Sequence, residues 1–343
     1  MAPSAILESR ASVELDDYII DCAWSPDGRS LAVVCSEGTV HLCEFGERES
    51  CVHELGMHAL GALAVAWQPG GARFASAGQD GTTAIWDAGA HRGEHVRFRP
   101  GRSVVEALAF SPDGRWLAAA SGRVVALWST EGERLHEFAP AEGVIAALAW
   151  DRPGRDLIAA TKGGLLAHRI EPPRFTTRRY ARPGACLTAA PSPNGKVLAT
   201  GTQDGSVHFW YLSSGRAGEM RGYGTKVQLT AWSSNGRYLA TGAGADVVVW
   251  DFAGKGPEGS RPLQLCGHTE RIETLAFQPG GPWLVSGGRD WRVMLWLPGR
   301  ATTPVDVQLG DAEATVARFS PDGRFVAVGQ RNGRLAFYAL LPP

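Results

Sequence analysis

Short apolar runs alternate with polar turns along this chain, and one phrase returns eight times in its 343 residues. A hydrophobic strand closes on or near an aromatic, a turn rich in Pro, Asp, Asn and Gly follows, and a second apolar strand begins. Taken by spacing, the turn glycines are Gly28, Gly71, Gly114, Gly154, Gly195, Gly236, Gly281 and Gly323, with gaps of 43, 43, 40, 41, 41, 45 and 42 residues. A period of this size with four short strands per unit predicts propeller blades. In the third copy the strands are Val104 to Phe110, Trp116 to Ala120, Val124 to Trp128 and a more polar Arg134 to Phe138. Proline presets φ in the intervening Ser111-Pro112-Asp113-Gly114 turn, Asp bonds its own backbone, and Gly accepts positive φ. The inner strands are continuously apolar because both faces are covered.

Eight copies supply three strands each, yet only seven fourth strands lie between them, such as Cys51–Leu55 and Val305–Leu309. The missing partner is assigned to Ser12–Leu15, added to the last copy around Arg324–Leu340. The expected fold is therefore all-β: a single closed β-propeller of eight four-stranded antiparallel blades, its N-terminal strand closing the last blade and leaving no free sheet edge. Seven blades are the alternative, at the cost of one unused copy. The blades fall at 18–57, 58–100, 101–139, 140–182, 183–223, 224–267, 268–310 and 311–343, with 1–17 as the closing segment.

Charge narrows the field of partners. Lys plus Arg (34) nearly balance Asp plus Glu (35), so no global field recruits nucleic acid or an anionic membrane. The six cysteines, Cys22, Cys35, Cys43, Cys51, Cys186 and Cys266, form no CxxC pair. The first seventeen residues contain Glu8, Glu14, Asp16 and Asp17 and no apolar signal core, and no run approaches a membrane helix. A cytoplasmic setting is expected.

Two copies share a further set: His58, Ser76, Asp80 and Trp86, and His268, Ser286, Asp290 and Trp296. Both span 28 residues from His to Trp, with Asp six before Trp. These residues, with Gly267-His268 and the strand-closing tryptophans, resemble the WD-repeat family over essentially the whole chain. The resemblance implies a structural relay in which a buried Asp accepts from imidazole, imidazole meets hydroxyl, and hydroxyl meets indole N–H. Repetition and spacing mark the set as structural and not as a hydrolase triad. The fifth copy keeps Thr200, Asp204 and Trp210 without His, and the eighth offers Asn332 and Tyr338. Blades 1, 3, 4 and 6 lack most of the set, so packing is expected to hold them.

Catalytic motifs are absent: there is no phosphate loop, no G-x-S-x-G and no HExxH. His91 and His95 stand in a turn-to-strand context that does not place them on one face. Cys22, Cys35, Cys43 and Cys51 fall one per strand of the first blade and are read as small buried apolar residues. No cofactor and no metal are expected, and the protein is not expected to be an enzyme.

The resemblance also implies a docking face on the loops entering the first strand and joining the second to the third. Carried over by position, it selects Tyr18, Ile20, Leu63, Glu106, Leu187, Lys226, Gln228, Arg271 and Glu273, with Gln79, Gln203, Arg289 and Arg331 just before the turn Asp or Asn. Tyr18, Ile20, Leu63 and Leu187 would form an apolar shelf, with Lys226, Arg271, Arg289 and Arg331 pairing with acidic groups of a partner. The alternative is that small apolar residues simply plug the channel mouth. A second strip, Arg169, Arg174, Arg178, Arg179 and Arg182, is assigned to the outer strand of the fourth blade. It either protects an edge or docks an acidic partner or RNA. The function expected is a non-catalytic scaffold binding a protein or peptide, with no membrane, nucleic acid or small-molecule substrate. A propeller enzyme or metal-dependent sensor is the alternative; a chromophore or stoichiometric metal in the purified protein would reveal it.

Overall fold

The computed structural model describes residues 6–45, 50–89, 92–254 and 256–341. They divide into two compact units, residues 20–191 and residues up to 19 together with 192 onward. Among the described residues every regular element is a strand, and the strands form eight antiparallel sheets. The first unit carries blades 1 to 4. Blade 1 is Ile19–Trp24, Ser30–Cys35, Thr39–Phe45 and Ser50–Met57, hydrogen-bonded in sequence order, and blades 2 and 3 repeat that order. In blade 4 the middle run, Asp156–Glu171, doubles back on itself: Ile170 N donates to Arg155 O (2.8 Å), so it supplies both the second and the third ribbon.

Blades 6 to 8, and blade 5 from its second strand onward, belong to the second unit. The last blade consists of Ala314–Phe319, Phe325–Gln330 and Arg334–Leu341, and its fourth strand is Ile6–Glu14. Ser12 stands opposite Ala336 and Val13 opposite Leu335. The expected closing strand is therefore present and longer than Ser12–Leu15. Leu7 anchors it, buried among Trp283, Leu295, Leu297 and Tyr338. Its amide also donates to Asp306 Oδ2 (2.8 Å).

The turns after the first strands follow two designs. In Ser25-Pro26-Asp27-Gly28 the Ser25 hydroxyl donates to Asp27 Oδ1 (2.6 Å), and Gly28 takes positive φ. Blades 2 and 7 differ from the spacing-based reading. With Pro69-Gly70-Gly71 and Pro279-Gly280-Gly281, the left-handed residues are Gly70 and Gly280, and Gly71 and Gly281 are not. Glycine at the third turn position allows a type II turn, where Asp favours type I followed by a left-handed Gly.

The relay is complete in blades 2 and 7. In blade 7, Trp296 Nε1–H donates to Ser286 Oγ (2.7 Å), and Ser286 meets His268 Nε2 at 2.7 Å. His268 Nδ1 lies 3.0 Å from both carboxylate oxygens of Asp290. Blade 2 matches, with Trp86 to Ser76 and Ser76 to His58 both at 2.8 Å. Its His58 Nδ1 lies 3.3 Å from Asp80 Oδ1 and 3.0 Å from Thr82 Oγ1. Only one proton order satisfies such a chain: Nδ1–H toward the carboxylate, hydroxyl to Nε2, indole N–H to hydroxyl. Ser76 and Ser286 are wholly buried, so neither hydroxyl can reach a substrate.

Blade 6 corrects the expectation that packing alone replaces the relay. Tyr223 stands nine residues before Trp232, the offset of His58 from Trp67. Trp250 Nε1–H donates to Tyr223 OH (2.7 Å), which meets Thr241 Oγ1 at 2.6 Å. Thr241 in turn donates to Val248 O (3.0 Å). A phenol thus does the work of the imidazole.

Burial holds the His58 and His268 imidazoles below their ordinary pKa. Burial would raise the Asp80 carboxyl, but the Thr82 hydroxyl and the Thr82 and Ala59 amides overcome it and bring the pKa to about 2.

Two outcomes follow. Ser76→Ala or Ser286→Ala leaves an indole N–H and an imidazole nitrogen buried without a partner, and should cost about 2–4 kcal/mol in urea denaturation; a loss below 0.5 kcal/mol would contradict the relay. Between the folded pKa of about 2 and the ordinary 3.8, the unfolded chain binds protons that folded Asp80 refuses, so stability falls as pH drops through that window. The neutral histidines add a loss that begins as pH falls below 6.5. Denaturation midpoints from pH 7 to pH 2 should decline, and Asp80→Asn should flatten the lower limb; parallel profiles for the two proteins would refute this.

Candidate functional site

The relay has an outer consequence. In blades 2 and 7 the relay aspartate caps the loop into the first strand: Ala59 N donates to Asp80 Oδ2 (3.1 Å) and Thr269 N to Asp290 Oδ2 (3.0 Å). One residue earlier, a main-chain bond ties the two loops together. Gln79 N donates to Gly61 O (2.8 Å), Arg289 N to Arg271 O (2.9 Å) and Arg331 N to Glu313 O (3.0 Å). Two loop positions that the sequence gives separately are thus held side by side at one end of blades 2, 7 and 8.

In blades 6 to 8 these positions form a continuous polar ladder. Arg271 Nη2 donates to Gln228 Oε1 (2.6 Å), and its Nε lies 3.5 Å from Glu273. Arg289 Nε donates to Glu273 Oε1 (2.6 Å) and lies 3.9 Å from Glu313. Arg331 Nη1 donates to Glu313 Oε2 (2.8 Å), and its guanidinium lies 5.5 Å from the centre of the Tyr18 ring. Beside the ladder a cleft of about 310 Å³ opens between blades 6 and 7, walled by Lys226, Gln228, Leu229, Arg271, Ile272 and Glu273.

These contacts modify the expected site. Arg271, Arg289 and Arg331 are not bare cations, because each already meets a glutamate of the same unit. They remain 42%, 43% and 52% exposed, and each guanidinium has five N–H donors of which the ladder uses a minority. Lys226 lines the cleft and has no carboxylate partner among the described residues. Four cations face two glutamates, so two positive charges stay unneutralised.

The apolar shelf is not assembled as expected. Tyr18 belongs to the ladder, and Ile20 packs against the core shared by Val34, Leu42 and Phe74. Leu63 and Leu187 are half-buried. Gln79 and Gln203 are exposed, as is Glu106, whose carboxyl is raised by partial desolvation.

The arginine strip is also dispersed. Arg169 lies on the doubled-back run and not on the outer strand, Arg174–Ala185, and grips Asp156 through Nε (2.5 Å) and Nη2 (2.8 Å). Arg179 donates to Glu142 (2.6 Å). Arg182 is buried, and it stands nine residues before Pro191, the register of the relay histidines. Only Arg174 and Arg178 remain exposed without an ion pair among the described residues, the latter over Tyr180 at 4.9 Å.

One surface residue escaped the sequence reading. Trp291 is 51% exposed and has φ of 62°. The equivalent residues after the turn Asp or Asn are Gly81, Gly205 and Gly333. A bulky residue in the left-handed region is a backbone outlier. The signal was legible as Asp-Trp in a place where three sister copies read Asp-Gly or Asn-Gly.

Cys22, Cys35 and Cys43 are buried, and burial pushes the Cys43 thiol far up, against thiolate chemistry. Cys51 is exposed, its sulfur 3.3 Å from His53 Nε2. Among the described residues no three His, Cys, Asp or Glu side chains stand together as a metal site. His91 lies outside the described residues, while His95 meets Glu131 at 2.8 Å.

Comparison with known proteins agrees with the repeat. The WD40 family, described as "WD domain, G-beta repeat", matches residues 12–43, 49–87, 93–129, 180–211, 218–251 and 259–296. The third strands of blades 4 and 8, which close on His168 and Tyr338, lie outside these matches. The chain is 25% identical over 278 residues to the B-type cell cycle switch protein ccs52A of Medicago truncatula, covering 76% of this chain and 54% of that one. It is 33% identical over 121 residues to THO complex subunit 3 of Arabidopsis thaliana, 34% of this chain and 38% of that one. A third relative, the small ribosomal subunit protein RACK1 of Caenorhabditis elegans, is 28% identical over 156 residues, 42% of this chain and 47% of that one. The chain thus spans about half or less of the length of each relative. With its repeat matched over more than half its residues and the His–Ser–Asp–Trp relay complete in blades 2 and 7, the chain belongs to the WD40 repeat family.

Proposed function

We propose that this protein is a non-catalytic interaction scaffold that binds an acidic segment of a partner protein on the loop ends of blades 6 to 8. The observation that carries this reading is the ladder from Gln228 to Tyr18, with the Lys226–Arg271 cleft beside it. Intramolecular glutamates fix each guanidinium in place while leaving donors free, so less side-chain entropy is lost when a carboxylate arrives. Trp291, on the same loop as Arg289, supplies an aromatic anchor of the kind that dominates binding energy. Two of the three relatives are named as components of larger assemblies, a THO complex subunit and a small ribosomal subunit protein, which suits a scaffold.

Lys226→Glu combined with Arg289→Glu should weaken capture of the native partner at least tenfold, equivalent to about 1.4 kcal/mol. Wild-type binding should weaken as salt rises from low to moderate concentration. Undiminished capture by a double variant that retains the wild-type melting curve would overturn the reading.

A further inference from the structure

The hairpin that joins the second strand to the third turns on a left-handed residue in every blade. In blades 1, 2, 3, 5, 6 and 8 that residue is Gly38, Gly81, Gly122, Gly205, Gly244 or Gly333, with φ from 60° to 111°. The doubled-back run of blade 4 turns on Gly163 and Gly164, also at positive φ. Blade 7 departs: Trp291, at φ 62°, is the sole non-glycine residue with positive φ among the described residues. A left-handed backbone is costly for a residue with a Cβ, and glycine is the local remedy.

No ring, cation or hydrogen-bond contact inside the fold offsets that cost. Trp86 and Trp296 are wholly buried and donate to Ser76 and Ser286. Trp291 is 51% exposed, and its indole meets no other ring, no guanidinium and no hydrogen-bond acceptor among the described residues. Its backbone, by contrast, is held. Gly310 N donates to Trp291 O (2.7 Å), and Arg289 N, two residues earlier, donates to Arg271 O (2.9 Å). Between them the relay carboxylate of Asp290 accepts from Arg292 N (3.3 Å). A tethered loop therefore presents an apolar ring beside the ladder. Two residues of chain span at most about 7 Å, so the ring stands within a few partner residues of the group that meets Arg289.

Charge decides what can cover the ring. The ladder and its cleft keep two unneutralised positive charges, and Arg292 follows Trp291 directly. A partner cation stacked on the indole would meet that field, which leaves an uncharged side chain as the occupant.

We propose that the acidic segment bound by blades 6 to 8 carries a bulky apolar side chain close to its carboxylates, and that Trp291 selects it. This inference rests on the docking reading of the ladder and adds a requirement that charge alone does not make. The apolar side chain removes indole surface from water, and the flanking carboxylates meet Arg289 and Lys226.

The test uses the full chain and two peptides of equal charge, acetylated and amidated. One is Gly-Glu-Glu-Gly-Phe-Gly-Glu-Glu-Gly, and the other has Ala in place of Phe; both are titrated by calorimetry at low salt. The Phe peptide should bind at least tenfold more tightly, equivalent to about 1.4 kcal/mol. Trp291→Gly should bring both peptides to the affinity of the Ala peptide. It should melt no lower than wild type, because it installs the residue of the sister blades. Trp291→Asn, which also accepts the left-handed region, should match it. The indole N–H resonance missing from Trp291→Gly should be the one that the Phe peptide shifts in wild type. Lys226→Glu with Arg289→Glu should weaken both peptides. Equal affinities that fall together in the charge-reversed protein would overturn this inference and leave the docking reading standing. A preference for Phe that survives in Trp291→Gly, or a lower melting temperature for that variant, would also overturn it. Affinities untouched by charge reversal, or no saturable binding of either peptide, would overturn the docking reading and this inference with it.

Discussion

A serine hydroxyl with one proton to give and lone pairs to receive is the pivot of the complete blades. Ser286 takes the indole N–H of Trp296 and gives its own proton to His268, whose other nitrogen is then committed to Asp290. The interior of the blade thereby fixes the position of a carboxylate at its edge. That carboxylate holds the Thr269 amide, and the adjacent Arg289 amide bonds Arg271 O. A buried requirement, that no polar atom lose water without replacement, therefore sets the spacing of exposed guanidinium groups.

Variation among the blades is variation in how that requirement is met. Blades 2 and 7 use imidazole, and blade 6 uses the Tyr223 phenol at the same offset. Blade 5 places the buried Arg182 at that register. Blade 4 has none of the relay residues: its His168 bonds Thr177 through Nδ1 (2.9 Å), and Nε2 has no hydrogen-bond partner among the described residues.

The eight turns and the period were legible because turn chemistry and strand length are local. The closing strand was legible as a count, seven fourth strands for eight copies, and Ile6–Glu14 fulfils it. Its N-terminal extension to Leu7 was not, because burial of Leu7 depends on Trp283 and Leu295, almost 300 residues away. The relay was legible at His58 and His268 because the family resemblance names His; Tyr223 needed the offset and not the residue type. For the docking face, sequence named loop positions but not the intramolecular contacts those side chains make. Nothing local says that Arg289 reaches Glu273 in its own blade, or that Ile20 turns into a core. Pairing across blades is a tertiary property.

The claim that function sits on the loop ends of blades 6 to 8 is tested most directly by placing a photoreactive p-benzoylphenylalanine at Trp291 or at Asp322. Asp322 lies in the turn between the first and second strands of blade 8, at the opposite end of the strands from the loops of the ladder. Irradiated with the native partners present, position 291 should yield a discrete covalent adduct that an excess of acidic peptide suppresses, and position 322 should yield none. Adducts from 322 alone, or equal and unsuppressed adducts from both, would contradict the account.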